Sequence, residues 1–133
     1  MKIFLDSDLQ ELARARRFVH DSTRSLTNKK MPEESIEQLQ LAVTEAVANI
    51  IKHAYGGEKG NQIEVIAESF AGGIQVILHH WGESFDPSSV PPPVFDGSSE
   101  SGFGLFIISK CVDFFGYSTD KQNRNTIRLI KNS

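Results

Sequence analysis

Apolar residues recur along this chain in two rhythms, and the changes of rhythm divide it into elements. Residues 3–5 are short and apolar enough for an edge strand. Ser7 and Asp8 then form a helix N-cap signal, with Glu11 in the first turn where a carboxylate meets the positive end of the helix dipole. Leu9, Leu12, Ala15, Val19 and Leu26 fit one apolar stripe, the arginines lie mostly off it, and residues 27–31 break the pattern. After Pro32, which suits a first helical turn, Ile36, Leu39, Val43, Ala46 or Val47, Ile50 and Ala54 recur at spacings of three and four. They predict a second helix ending at Tyr55-Gly56-Gly57, because glycine tolerates the positive φ of a helix terminus.

Beyond those glycines the rhythm becomes alternation. Residues 63–70 and 74–80 read as strands, and the short Ala71-Gly72-Gly73 link between them predicts an antiparallel hairpin. Residues 82–102, rich in Gly, Pro and Ser and containing Pro91-Pro92-Pro93, cannot form a continuous helix or a central strand. They form either a functional lid or a floppy loop, and so long a loop inside a small domain usually serves a function. Residues 103–112 have helical length and apolarity, and residues 114–118 and 126–130 read as strands around the polar turn 120–125. The sum is an α+β, two-layer sandwich, with helices on one face of a mixed, mainly antiparallel sheet. Its 133 residues suit one domain, residues 1–133, without internal repeats.

Composition narrows the function classes. With 39% apolar and 23% charged residues and nine Phe, the chain has the balance of a folded globular protein. No run approaches the ~18 apolar residues of a membrane helix, and the N-terminus lacks a basic segment followed by an apolar one, so a cytoplasmic location is expected. Cys111 is the sole cysteine, lies in an apolar run and reads as a buried, inert thiol. A net charge of −3 gives no reason to expect binding to nucleic acid or to an anionic membrane. Arg14, Arg16, Arg17 and Arg24 nevertheless crowd the first helix, whereas no Lys or Arg occurs between Lys59 and Lys110. That unevenness suits a protein partner of opposite charge, or simply a solvated basic face.

Three features stand in a meaningful order. Glu45, Asn49 and His53 follow one another at four-residue spacing, which aligns them along one side of a helix beside the apolar stripe. The hairpin runs into His80-Trp81-Gly82-Glu83-Ser84-Phe85-Asp86-Pro87, and the long loop closes on Gly102-Phe103-Gly104-Leu105 at the start of a helix. A carboxylate and a carboxamide one turn apart offer oxygen ligands for Mg²⁺ and a general base, and a glycine loop feeding a helix presents free N–H groups to phosphate. Each motif is weak alone: a polar stripe is usually a solvated face, His53 and Tyr55 at a helix end usually pack and cap, and Trp81 could flank a base but usually packs at a rim. His79 and His80 point to opposite faces of a strand and cannot form a side-by-side metal pair.

Together these segments resemble the GHKL ATPases of the Bergerat fold, and among them the anti-sigma-factor serine/threonine kinases. LQLAVTEAVANIIKHAY is similar to the N-box, WGESFDP to the first glycine box and ESGFGLFIISKCVDFF to the second; the likeness runs from about Leu9 to Ile130. The resemblance implies that Glu45 is the catalytic base and Asn49 the Mg²⁺ ligand. It further implies that ATP is bound by Asn49, Lys52, His53, His80, Gly82, Phe85, Gly102, Gly104 and Leu105. It also implies transfer of the γ-phosphoryl group to a hydroxyl of a small STAS-type antagonist, sequestration of a sigma factor, and homodimers, expected here through the first strand and helix together with the sheet.

Two positions depart from that pattern. The first glycine box normally opens with an aspartate that accepts the adenine amino group, and His80 stands there; the position between the second-box glycines, often arginine, is Phe103. An imidazole accepts only when neutral, so with an ordinary pKa of about 6.5 this contact is expected to weaken as pH falls from roughly 8 to 5.5, and His80→Asp to strengthen ATP binding. These departures favour an alternative, a catalytically degenerate binding module that sequesters a sigma factor or regulator without phosphoryl transfer. A two-component histidine kinase fits less well, because no upstream helix carries a phosphoacceptor histidine.

Overall fold

The computed structural model describes residues 1–82 and 103–132. Strand β1 (Lys2–Asp6) leads through a 3₁₀ turn (Leu9–Glu11) into helix α1 (Leu12–Leu26), followed by α2 (Glu33–Asn49) and a π-helical turn (Ile50–Ala54). Strands β2 (Gln62–Phe70) and β3 (Gly73–His80), helix α3 (Phe103–Cys111), and strands β4 (Phe114–Thr119) and β5 (Asn125–Asn132) complete it. The sheet order is β1-β2-β3-β5-β4, and all four pairings are antiparallel. The expected hairpin is present, with Phe70 opposite Gly73 at its turn. The long glycine- and proline-rich loop, including Phe85 and Gly102, lies outside the described residues.

One core fills the space between sheet and helices. It takes Ile36, Leu39, Val43, Ala46, Val47, Ile50 and Ala54 from the second helical segment, every position the spacing singled out. Fully burying a Leu, Ile or Val side chain contributes about 1.5–3 kcal/mol, against tenths of a kcal/mol per residue from helix propensity, so packing and not propensity holds α2. From the sheet come Leu5, Ile63, Val65, Ile74, Val76, Leu78, Ile127 and Leu129, alternate positions of four strands. Gly73 at the hairpin has φ 155°, and a side chain there would collide with the Lys131 carbonyl of β5.

Helix entry and exit follow local chemistry. The Asp8 carboxylate accepts from the Gln10 N–H at 3.0 Å, as the N-cap reading requires. What it caps is the 3₁₀ turn, and the different winding there takes Leu9 off the α1 stripe to 48% exposure, against the sequence expectation; Ala15 and Val19 are buried and Leu12 and Leu26 partly so. Asn28 and Lys29 adopt φ 52° and 62° and terminate α1, and Pro32 is the extended N-cap of α2. Among the described residues no helix is long and apolar enough to cross a membrane.

Candidate functional site

The core-facing alternation of α2 leaves Glu45 and Asn49 one turn apart and only partly buried. Neither side chain is hydrogen-bonded or ion-paired to another described residue, so their oxygens remain open to a ligand. A carboxylate and an amide oxygen match the hard oxygen donors that Mg²⁺ takes, with its remaining positions filled by water and phosphate. The regular helix ends at Asn49, and the spacing that aligns Glu45 with Asn49 therefore does not extend to His53. From Ile50 the backbone widens: the Tyr55 N–H reaches the Ile50 carbonyl at 3.0 Å and the Gly57 N–H the Ile51 carbonyl at 2.8 Å. Such π turns inside helices are frequent at functional sites. Lys52 and His53 are exposed on this turn.

The π turn delivers Tyr55 to the end of β3. The Tyr55 hydroxyl donates to the Gln62 carbonyl at 2.7 Å and accepts from the Trp81 N–H at 3.0 Å, and burial raises its pKa. The ring also explains Gly82 without any ligand. A Cβ there would lie 2.6 Å from Tyr55 ring carbons and 2.7 Å from the Ala54 carbonyl oxygen. Gly82→Ala is expected to destabilise the fold by about 1–3 kcal/mol through overpacking, measured as a lower urea midpoint with an unchanged slope.

His80 is the last residue of β3, on the face that carries Ile74, Val76 and Leu78 toward the helices. It is fully buried, and neither ring nitrogen has a hydrogen-bond partner among the described residues. Tyr55 meets it edge-on, with ring centroids 6.1 Å apart. Burial, reinforced by neighbouring His79, lowers the His80 pKa to about 4. The ring is thus neutral throughout the interval from pH 8 to 5.5, and the expected loss of its acceptor moves to lower pH. His79 lies on the opposite face, 2.7 Å from Glu64, as alternation required.

Sequence reasoning passed over Asn125, which faces His80 across the β3–β5 pair and is 1% exposed. Its Nδ2 donates to the carbonyls of His80 at 3.3 Å and Gly82 at 3.2 Å, while its Oδ1 accepts from the Thr119 and Tyr117 hydroxyls. It fixes the main chain where β3 ends and runs into Trp81-Gly82. The alternation Asn125, Ile127, Leu129 was the available signal, because it puts a polar residue on the buried face. Gly104 and Leu105 occupy the first turn of α3, among whose N–H groups several have no partner within the helix. A cleft of about 690 Å³ between β1 and α1, lined by Lys2, Arg14, Arg17 and Phe18, shares no residue with this site.

The sequence matches the histidine kinase-like ATPase domain family over residues 5–131. The chain belongs to that family. It is 33% identical over 88 residues to a protein of Oceanobacillus iheyensis named serine-protein kinase RsbW, covering 60% of this chain and 56% of that protein. A protein of the same name from Staphylococcus epidermidis is 34% identical over 109 residues, covering 74% and 66%, and one from Bacillus subtilis is 31% identical over 88 residues, covering 60% and 55%. The chain therefore spans between about half and two thirds of these relatives' length. The histidine kinase domain of a blue-light activated histidine kinase from Erythrobacter litoralis shares the fold, with a TM-score of 0.55 at 13% identity over 92% of this chain and 59% of that one. The expected sandwich of helices on a mainly antiparallel sheet is accordingly the family's fold.

Proposed function

We propose that this chain is a protein serine/threonine kinase of the anti-sigma-factor type, which binds Mg-ATP and regulates transcription by exchanging partners. The observation that carries the reading is the Glu45–Asn49 pair, open and one turn apart on a helix fixed in the core. Its family membership and its similarity to proteins named serine-protein kinase support it.

In this reading Asn49 would hold Mg²⁺ through its amide oxygen, and the ion would supply charge neutralisation at the phosphates. Glu45 would orient the acceptor hydroxyl and take its proton as the oxygen bonds to the γ-phosphorus and the bond to the β,γ-bridging oxygen breaks, with ADP as the leaving group. In the same reading the N–H groups of Gly104 and Leu105 would serve the phosphates and His80 the base, with Gly82, Lys52 and His53, and with Phe85 and Gly102 on the resemblance alone, as further contacts. Positioning does most of this work, since the protein forms no bond to the phosphoryl group.

The acceptor is a hydroxyl on a STAS-type antagonist, and the sequestered partner is a sigma factor. The basic face of α1 offers Arg14 and Arg17 to an acidic partner surface. Homodimers in the cytoplasm complete the reading. β1 is a sheet edge of the kind that invites pairing, although the Arg14 guanidinium already caps its Phe4 carbonyl at 2.9 Å.

Calorimetric titration with Mg-ATP and Mg-ADP tests the proposal. Saturable binding is expected, and Asn49→Ala should weaken Mg-ATP about tenfold while sparing the fold, the loss of one ligand bond to a charged centre. The degenerate binding module remains as a second reading, favoured by a histidine at position 80, where the resemblance leads one to expect aspartate, and by the lack of Lys or Arg between Lys59 and Lys110. Absence of any nucleotide binding in the folded protein would decide for it.

A further inference from the structure

The unpartnered ring of His80 has a consequence for which bases the site accepts. Polar groups buried in a protein are almost always hydrogen-bonded; among the described residues the exceptions are the Thr23 hydroxyl and both ring nitrogens of His80. Which nitrogen of a neutral imidazole carries the proton is ordinarily decided by the hydrogen bond the other one makes. Among the described residues nothing makes that bond. Tyr55, whose ring meets His80 edge-on, spends its hydroxyl on Gln62 and Trp81, and the Asn125 amide is directed to the main-chain carbonyls of His80 and Gly82. The described residues therefore leave the tautomer of His80 open for a ligand to set.

That freedom differs from what a carboxylate offers. An ionised aspartate only accepts, so it pairs with an exocyclic amino group and repels a carbonyl oxygen at the same place. A neutral imidazole accepts through its bare nitrogen in one tautomer and donates through N–H in the other. Facing C6 of a purine, the first tautomer accepts from the 6-amino group of adenine and the second donates to the 6-oxo group of hypoxanthine or guanine. No described residue makes either bond in the free protein, so neither base has to displace a partner among them. The ring stays neutral while doing so, since burial disfavours its protonation.

We propose that His80 makes this site indifferent to the group at C6 of a purine, so that 6-oxopurine nucleoside triphosphates such as ITP and GTP bind alongside ATP. The proposal deepens the kinase reading above and rests on it. ITP is the sharper probe, because it carries the 6-oxo group of GTP without the 2-amino group and so changes the C6 edge without adding bulk.

Titration of the intact protein with Mg-ATP, Mg-ITP and Mg-GTP, repeated on His80→Asp and His80→Asn, tests it. In the wild type the ATP and ITP dissociation constants are expected to agree within about fivefold, one hydrogen bond being exchanged for another. His80→Asp should shift the ratio toward ATP by about tenfold or more, because the carboxylate meets the 6-oxo group with like polarity. His80→Asn, whose amide both donates and accepts, should keep the ratio near that of the wild type. If His80→Asp fails to fold, the wild-type ratio and the asparagine variant still decide. A wild-type preference for ATP over ITP beyond about fiftyfold would overturn the proposal and leave the kinase reading standing. Binding of neither nucleotide would remove both.

Discussion

Glu45→Gln is expected to lower phosphoryl transfer by about 10²- to 10⁴-fold while Mg-ATP affinity changes by no more than several-fold. The substitution keeps shape and length and removes only the ability to take a proton. Glu45 sits on a helix whose neighbouring Thr44, Ala46 and Val47 are buried, so the backbone at this position is fixed by the core and not by the carboxylate. No described residue bonds to the side chain, and its loss therefore leaves no partner stranded. The effect must fall on the transition state, where the acceptor hydroxyl loses its proton, and appears in kcat with little change in KM for ATP. Single-turnover transfer to a STAS-type antagonist, measured beside calorimetric affinities, separates the two quantities. Asn49→Ala is the comparison: it should reduce affinity first. Equal loss of nucleotide affinity in both variants would mean that the two residues act as one binding unit and that Glu45 is no base.

The fold was legible where periodicity and burial coincide. All seven positions picked for the second helix are in the core, and the hairpin was bounded to within one residue at each strand end. Leu9 was misplaced because a 3₁₀ turn and an α-helix present the same residue types while winding differently. The π turn was illegible for a related reason. Ile50, Ile51 and Ala54 are apolar in either geometry, and nothing in their identity announces the wider turn that brings Tyr55 to Trp81. Alternation did carry the position of His80, in register with Ile74, Val76 and Leu78; Asn125, in register with Ile127 and Leu129, was assigned instead to the polar turn before the strand that it in fact begins. What alternation cannot carry is whether a polar residue on a buried face finds a partner. Asn125 does and His80 does not, and that difference depends on side-chain positions from three strands.

Because the His80 ring is neutral and buried in the native state, the protein is expected to lose about 3 kcal/mol of stability through this one residue as pH falls to 4. The native pKa is about 4, lowered first by burial and then by neighbouring His79, whereas the unfolded chain titrates near the ordinary value of about 6.5. Between those values the unfolded state holds a proton that the native state refuses, so stability rises with pH across the interval. The contribution is complete above pH 6.5, erodes on acidification and is exhausted near pH 4. Among the described residues the groups around the ring do not cancel it: Tyr55 and Asn125 remain uncharged throughout, and His79 points away from it, toward Glu64. Urea unfolding of the wild type and His80→Phe at pH 7, 5.5 and 4.5 isolates the term, because every other titrating group is common to both proteins. The wild type should lose stability more steeply than the variant, with most of the divergence below pH 6. Parallel curves would place the ring in contact with solvent or an acceptor. The same titration governs the ligand: binding through a neutral His80 should stay level from pH 8 to about 5 and fail below it, an acid limit lower than an exposed histidine would impose.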